Sequence, residues 1–225
     1  MCGRYNLITD AQALIDFFEV ANSLEIQPRY NIAPSQDIVA VRQQNDERQL
    51  AWFHWGLIPF WAKDKSIGNH MINARAETVA DKPAFRTAFR KRRCLIPATG
   101  FYEWKAVNGR KQPYNIRIGD GKLFAFAGVW EHWAPKHDKP IESCSIIVTE
   151  ANEAVASIHD RMPVILHPDN YQAWLDPDYQ DSAVLTAMLK PCPSRWINAY
   201  PVSTHVNKPQ NDDEACIAPL SESRQ

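Results

Sequence analysis

Apolar positions recur at helical spacing at Ala11, Leu14, Ile15 and Phe18, which predicts a helix over residues 10–20 with Thr9 as its cap. An irregular stretch, Pro28–Pro34, follows. Residues 37–43 and 48–55 alternate toward strand on either side of a turn at Gln44-Asn45-Asp46. Residues 56–70 form an aromatic loop punctuated by Gly and Pro, and a short helix over 83–91 carries Phe85, Ala88 and Phe89. Strands then dominate, over 93–97, 101–106, 112–118, 122–130 and 143–149, with turns at Asn108-Gly109 and Gly119-Asp120-Gly121. Helices over 150–157, 168–175 and 180–189 and strands over 163–167 and 196–202 complete the pattern before a polar tail. There is no internal repeat, no dividing linker and no regular βαβ alternation. The pattern predicts a single α+β domain with a curved, mostly antiparallel sheet flanked by short helices.

Composition narrows the function classes. The chain has 225 residues, 45% hydrophobic and 23% charged, which excludes disorder and low-complexity classes. A chain of this length buries about 70% of its unfolded surface and needs no staple to fold. The formal net charge of −1 means that a nucleic-acid partner would need a local basic patch. The five cysteines are odd in number and lack a C-x-x-C pair, and the seven histidines lack zinc spacing, so neither a disulfide framework nor a metal or cofactor is expected. With no apolar run of membrane-spanning length and no signal-peptide layout, the expectation is a soluble protein without a membrane partner, cytoplasmic and nucleoid-associated when bound to DNA; a monomer is expected.

The second position carries distinctive chemistry. A small residue after Met1 permits removal of that methionine, leaving Cys2 with a free α-amine and a thiol two carbons apart. Both groups are partly in their nucleophilic forms near neutral pH by their reference pKa values. With an aldehyde, the amine forms a Schiff base and the thiol then closes a five-membered thiazolidine. Holding both nucleophiles on one residue supplies proximity worth ~10⁵ M or more in effective concentration. Read alone, Cys2 is more simply an ordinary residue at a frayed terminus.

Three further segments stand out. Asn73, Arg75 and Glu77 occupy alternate positions and so share one face of an extended segment. Glu103 sits among aromatics in Gly100-Phe101-Tyr102-Glu103-Trp104, where burial would raise its pKa toward that of a general acid. His159, in Ile158-His159-Asp160-Arg161-Met162-Pro163, is a proton carrier for neutral pH. Their bland readings are a solvated strand face, an edge glutamate and a structural histidine. For nucleic acid, Arg86, Arg90, Lys91, Arg92 and Arg93 crowd one helix end, and Trp52, Trp55, Pro59, Phe60 and Trp61 form a stiff aromatic stretch. Helix-dipole charges and core tryptophans would account for these as well.

Taken together, the segments are specific. Met1-Cys2-Gly3-Arg4-Tyr5, Arg29-Tyr30-Asn31-Ile32-Ala33-Pro34, Trp55-Gly56-Leu57-Ile58-Pro59 with Trp61, Asn73 to Thr78, Gly100 to Trp104, Thr149 and His159 to Pro163 stand in one order along the chain. In this ordered set the chain resembles the SRAP family of SOS response-associated peptidases, or abasic-site-processing proteins, over residues 1–207. Residues 208–225 form a polar tail to which no function is carried.

The resemblance implies a pseudo-barrel α+β fold with a basic cleft for single-stranded DNA containing abasic sites. It further implies a covalent crosslink at Cys2, positioning of the amine and the opened sugar by Asn73, and proton transfer by Glu103 and His159. Arg4, Arg75 and Arg161 match phosphate-contacting arginines, with Thr149 in the same matched set. Trp55, Pro59 and Trp61 fall in the region that wedges or stacks on flanking bases. The rival readings are a cysteine-type autopeptidase built on Cys2, His159 and Glu103, lyase cleavage from a stalled imine, and non-covalent single-strand binding.

Overall fold

The computed structural model describes residues 2–136 and 139–220. The chain enters through β1 (Tyr5–Leu7) and helix α1 (Ala11–Phe18). The cap is Asp10 rather than Thr9: Asp10 has the extended backbone of a cap, and its carboxylate accepts the Ala13 N–H. Leu14 and Phe18 bury the apolar stripe that the spacing predicted.

Next come β2 (Arg29–Ile32), β3 (Asp37–Gln44) and β4 (Glu47–Trp55). Asn45 and Asp46 both take positive φ, the backbone of a tight two-residue hairpin turn that short polar side chains tolerate. The aromatic loop contains a 3₁₀ turn, Lys65–His70, and delivers the chain to β5 (Asn73–Arg75). The helix expected over 83–91 is confined to α2 (Arg86–Lys91), preceded by consecutive turns.

β6 (Arg93–Ala98), β7 (Gly100–Val107), β8 (Arg110–Ile118), β9 (Phe124–Trp133) and β10 (Ile141–Glu150) follow, close to the predicted strands. Asn108 and Gly109, with φ of 48° and 76°, make the β7–β8 hairpin turn.

The remaining elements are shorter than the pattern suggested. α3 (Glu153–Ala156) is one turn capped by Asn152, and the strand expected over 163–167 is two pieces, β11 (Arg161–Pro163) and β12 (Ile165–Leu166). The break at Val164 lets the chain switch partners, from β10 to β9. A 3₁₀ turn leads into α4 (Tyr171–Leu175), then α5 (Ser182–Ala187) and β13 (Ile197–Pro201).

Two sheets result. In one, β10, β4, β3, β6 and β9 are paired in that order, and β9 pairs again with β10, closing a barrel. Closure removes exposed strand edges. The closing contact of β4 with β10 is short and parallel, with His54 opposite Ser143 and Trp55 opposite Cys144. Val41, Leu50, Phe53, Leu95, Ala127 and Ile146 are buried in its core. At Gly128 a Cβ would lie 2.8 Å from Cys94 Sγ and Ile96 Cδ1, so only glycine lets β6 and β9 pack this closely.

The second sheet runs β13-β8-β7-β1-β2. Its β7 follows β6 after a single residue, so the barrel and the second sheet meet at Ala98–Gly100. The fold is thus α+β, a curved pseudo-barrel with short helices. No helix among the described residues is long and apolar enough to cross a membrane.

The polar stretch after residue 207 is fastened to this body. The buried Asn31 amide donates to the carbonyls of Val206, Lys208 and Asn211. Asp212 accepts the N–H groups of Tyr30 and Asn31 and pairs with Arg29.

Candidate active site

The junction of the two sheets gathers the chemistry. β1 runs antiparallel to β7 with Tyr5 opposite Phe101, and the Tyr102 N–H donates to Arg4 O. Continuing that register toward the terminus brings Gly3 alongside Glu103 and Cys2 alongside Trp104. Cys2 and Glu103 are both buried. Burial pushes the Cys2 thiol far above its ordinary range, and the Glu103 carboxylate adds to the shift. Burial likewise raises the Glu103 carboxyl, while nearby His159 offsets part of the rise.

His159 reaches the site from the turn after α3. Its Nε2 is 3.9 Å from Glu103 Oε2, and its Nδ1 accepts the Arg161 N–H at 3.0 Å. A cleft of about 440 Å³ opens over the pair, lined also by Trp104, Lys111 and Asn207. The sequence reading missed Lys111 and Asn207 as cleft residues. They arrive on the β8 side of the hairpin and on the turn after β13, far from the motifs in sequence, and no local pattern marks them.

β10 positions the second wall. Asn73 lies opposite Ile146 and Arg75 opposite Val148, while Thr149 pairs with Met162 and Glu150 with Arg161. Asn73 Oδ1 is buried with no hydrogen-bond partner among the described residues, while Nδ2 donates to Ile72 O. A buried, unpartnered carbonyl is costly and suits a ligand donor such as an amine. Arg75, two residues along the strand, is exposed. The shared face expected for Asn73, Arg75 and Glu77 stops at Arg75: the chain turns, and Glu77 pairs with Arg161. That hydrogen bond and the arginine charges outweigh partial burial and hold the Glu77 carboxyl below its ordinary range.

Several expected contacts are placed otherwise. Trp55 is fully buried; its indole donates to Ile72 O, and its ring meets Tyr5 edge-on at 5.4 Å. Pro59 is buried as well. Both belong to the packed interior, in a run, residues 55–59, that is buried throughout. Trp61, 48% exposed, Phe60, 56% exposed, and Trp52, 46% exposed, are the open rings of the stretch.

Arg4 is turned inward. Its Nη1 donates to Asn31 Oδ1 and Val206 O, and its guanidinium lies over Trp104. It braces the cleft wall from behind.

Arg93 is buried and donates to the carbonyls of Phe89, Arg90, Trp174, Asp176 and Tyr179, with burial lowering its pKa to about 10. Arg92 pairs with the buried Glu131. Both are framework residues, leaving Arg86, Arg90 and Lys91 as the exposed part of the basic cluster.

One group of possible metal ligands occurs among the described residues: His205, Asp213 and Cys216, with ligand atoms within 4.8 Å of one another. Its members are already engaged, with each other or with Asn211. His205 Nε2 meets Asp213, Asn211 Nδ2 approaches His205 Nδ1, and the Cys216 thiol donates to Asn211 O. The group works as a clasp on the 205–216 turn.

A family model described as SOS response associated peptidase (SRAP) matches residues 1–209. The chain belongs to the SRAP family. It is 45% identical over 216 residues to the abasic site processing protein YoaM of Bacillus subtilis, covering 94% of this chain and 95% of that protein. It is 32% identical to the abasic site processing protein HMCES of Gallus gallus, covering 86% of this chain and 67% of that one. Against YedK of Escherichia coli, another abasic site processing protein, identity is 26% with 98% and 100% coverage. The SRAP fold is also seen in a crystal structure from Bacteroides thetaiotaomicron, with TM-score 0.86, 28% identity, and coverage of 97% of this chain and 100% of that one.

Proposed function

We propose that this SRAP chain captures abasic sites in single-stranded DNA as a covalent thiazolidine on Cys2, shielding the lesion from strand cleavage. The observation that carries the reading is the terminal cysteine buried beside Glu103, with His159 Nε2 3.9 Å from that carboxylate. Once Met1 is removed, the Cys2 amine adds to the C1′ aldehyde of the opened deoxyribose. The carbinolamine loses water to give an iminium, and Asn73 Oδ1 is an acceptor suited to holding the amine. The Cys2 sulfur then adds to the iminium carbon, and the C=N electron pair returns to nitrogen.

That last step releases the thiol proton. Burial keeps the thiol protonated, so an acceptor must stand beside it, and the raised carboxyl of Glu103 is a better acceptor than an ordinary carboxylate. In this reading His159 serves the sugar oxygen during ring opening. No oxidant or reductant is required.

The cysteine-peptidase alternative asks for a stabilised thiolate attacking an amide. Here burial and Glu103 both push the thiol toward its neutral form, which favours attack on the far more electrophilic iminium. Intact-mass analysis of Met1-free protein incubated with an abasic oligonucleotide tests the reading. The expected product is protein plus oligonucleotide less one water, stable to heat; recovery of unmodified protein alone would sink it.

A further inference from the structure

The exposed remainder of the basic cluster has a shape of its own. Arg86 and Arg90 are four residues apart on α2 and so lie on one helix face, with Lys91 beside them. Together with Thr87 and Ala80 they line a concavity of about 290 Å³ into which no carboxylate enters. None of these three cations has a hydrogen-bond or ion-pair partner for its side chain among the described residues. Arg92 and Arg93, adjacent in sequence, are both paired or buried. Like charges gathered without a counter-charge repel one another in the free protein, and an anion relieves that repulsion.

The concavity shares no lining residue with the reaction cleft but lies a short run of chain from Arg75. Thr78 and Val79 donate to Arg75 O, Lys82 donates to Thr78 O, and Arg86 donates to Lys82 O, so chain between Arg75 and α2 is a run of tight turns. At the ~1.5–2 Å rise per residue of such turns, α2 lies within roughly 20 Å of Arg75. A strand leaving the cleft past Arg75 reaches it within a few nucleotides.

We infer that Arg86, Arg90 and Lys91, with the Thr87 hydroxyl, form a second phosphate-binding site, separate from the reaction cleft, that holds the DNA backbone on one side of the lesion. The two arginines offer forked donors suited to phosphate oxygens, and the lysine adds a compact charge. The site reads no base and lengthens the footprint. This inference rests on the proposed capture of abasic single strands.

The test compares the Met1-free protein with the triple variant Arg86→Ser, Arg90→Ser, Lys91→Ser. Affinity is titrated over a range of salt concentrations on an undamaged strand that only fills the cleft, and on strands lengthened at the 5′ or the 3′ side. Crosslinking is read on the short abasic strand. For wild type, lengthening on one side should tighten binding and steepen the salt dependence. The triple variant should lose that gain, with a slope shallower by about 2, from ~0.7 per phosphate neutralised on a single strand. Its behaviour on the short strand should match wild type, which also shows that it is folded. An equal length gain in both proteins, or none in wild type, overturns the second site. If wild type crosslinks the short strand in that case, the capture reading stands; if it does not, both fall. The charge-reversed Arg86→Glu variant supplies an independent check, with the expected loss confined to the same lengthened strand.

Discussion

His159 Nε2 and Glu103 Oε2 face each other at 3.9 Å across the junction of the two sheets, the glutamate buried on β7 and the histidine partly open to the cleft. In the proposed capture, this pair would carry the proton between solvent and the Cys2 thiol.

Cys2 variants separate the two halves of the chemistry. Cys2→Ala should abolish the heat-stable adduct on a denaturing gel. Cys2→Ser keeps the amine but offers a much poorer ring-closing hydroxyl, so imine formation should proceed to strand cleavage. An adduct of normal yield from Cys2→Ala would rule out the thiazolidine and point to a lysine.

Glu103→Gln should slow crosslinking by ~10²–10⁴, the usual range for loss of a general acid or base. Stability should move the other way. Burial raises the Glu103 carboxyl, so the folded chain holds that proton more tightly than the unfolded chain. The stability this gives is fully present below the unfolded pKa and is lost as pH rises through the raised folded value. Urea unfolding at several pH values should therefore show wild type losing ground to the glutamine variant across that window. A difference independent of pH would contradict the buried-carboxyl account.

The two matched tryptophans should behave oppositely. Trp55→Ala empties a fully buried site and should cost about 3–5 kcal/mol of stability. Trp61→Ala, at an exposed position, should change stability by no more than about 0.5 kcal/mol. Its effect should be on affinity for undamaged single strands, a loss of about 1–3 kcal/mol if the ring stacks on a base. Full affinity in Trp61→Ala would hand the stacking to Phe60.

Arg75 and Arg161 should differ in their salt signatures. Arg75 is exposed and matches a phosphate contact, so Arg75→Ala should flatten the slope of log affinity against log salt by about 0.7. Arg161 is paired with Glu77 in the free protein, and binding a phosphate must compete with that carboxylate. Arg161→Ala should therefore flatten the slope less than Arg75→Ala does. Equal effects would mean that the Glu77 pair opens when DNA binds.

The sequence alone determined most of the secondary structure and the chemical vocabulary of the site. Strand alternation, the Asn108-Gly109 turn and the apolar stripe of α1 are local patterns, and local backbone preferences are enough to read them. Cys2, Asn73, Glu103 and His159 could be singled out because each is an unusual chemical group in its segment, and the ordered set resembles one family.

Only the tertiary structure decided which of these groups meet and which are hidden. The closure of the barrel depends on a short parallel contact between β4 and β10, residues about ninety apart, which leaves no periodic trace in either strand. Trp55 and Trp61 look alike in sequence, yet one is fully buried and the other stands exposed. Arg93 and Arg90 sit in the same basic run, yet one caps buried carbonyls and the other faces solvent. Arg4 and Arg75 both match phosphate contacts, yet Arg4 is tied to Asn31 and Val206. Burial and partner choice come from packing between segments distant in the chain. A side chain's type sets what it can do, and its neighbours, fixed only when the sheets close, set which of those things it does.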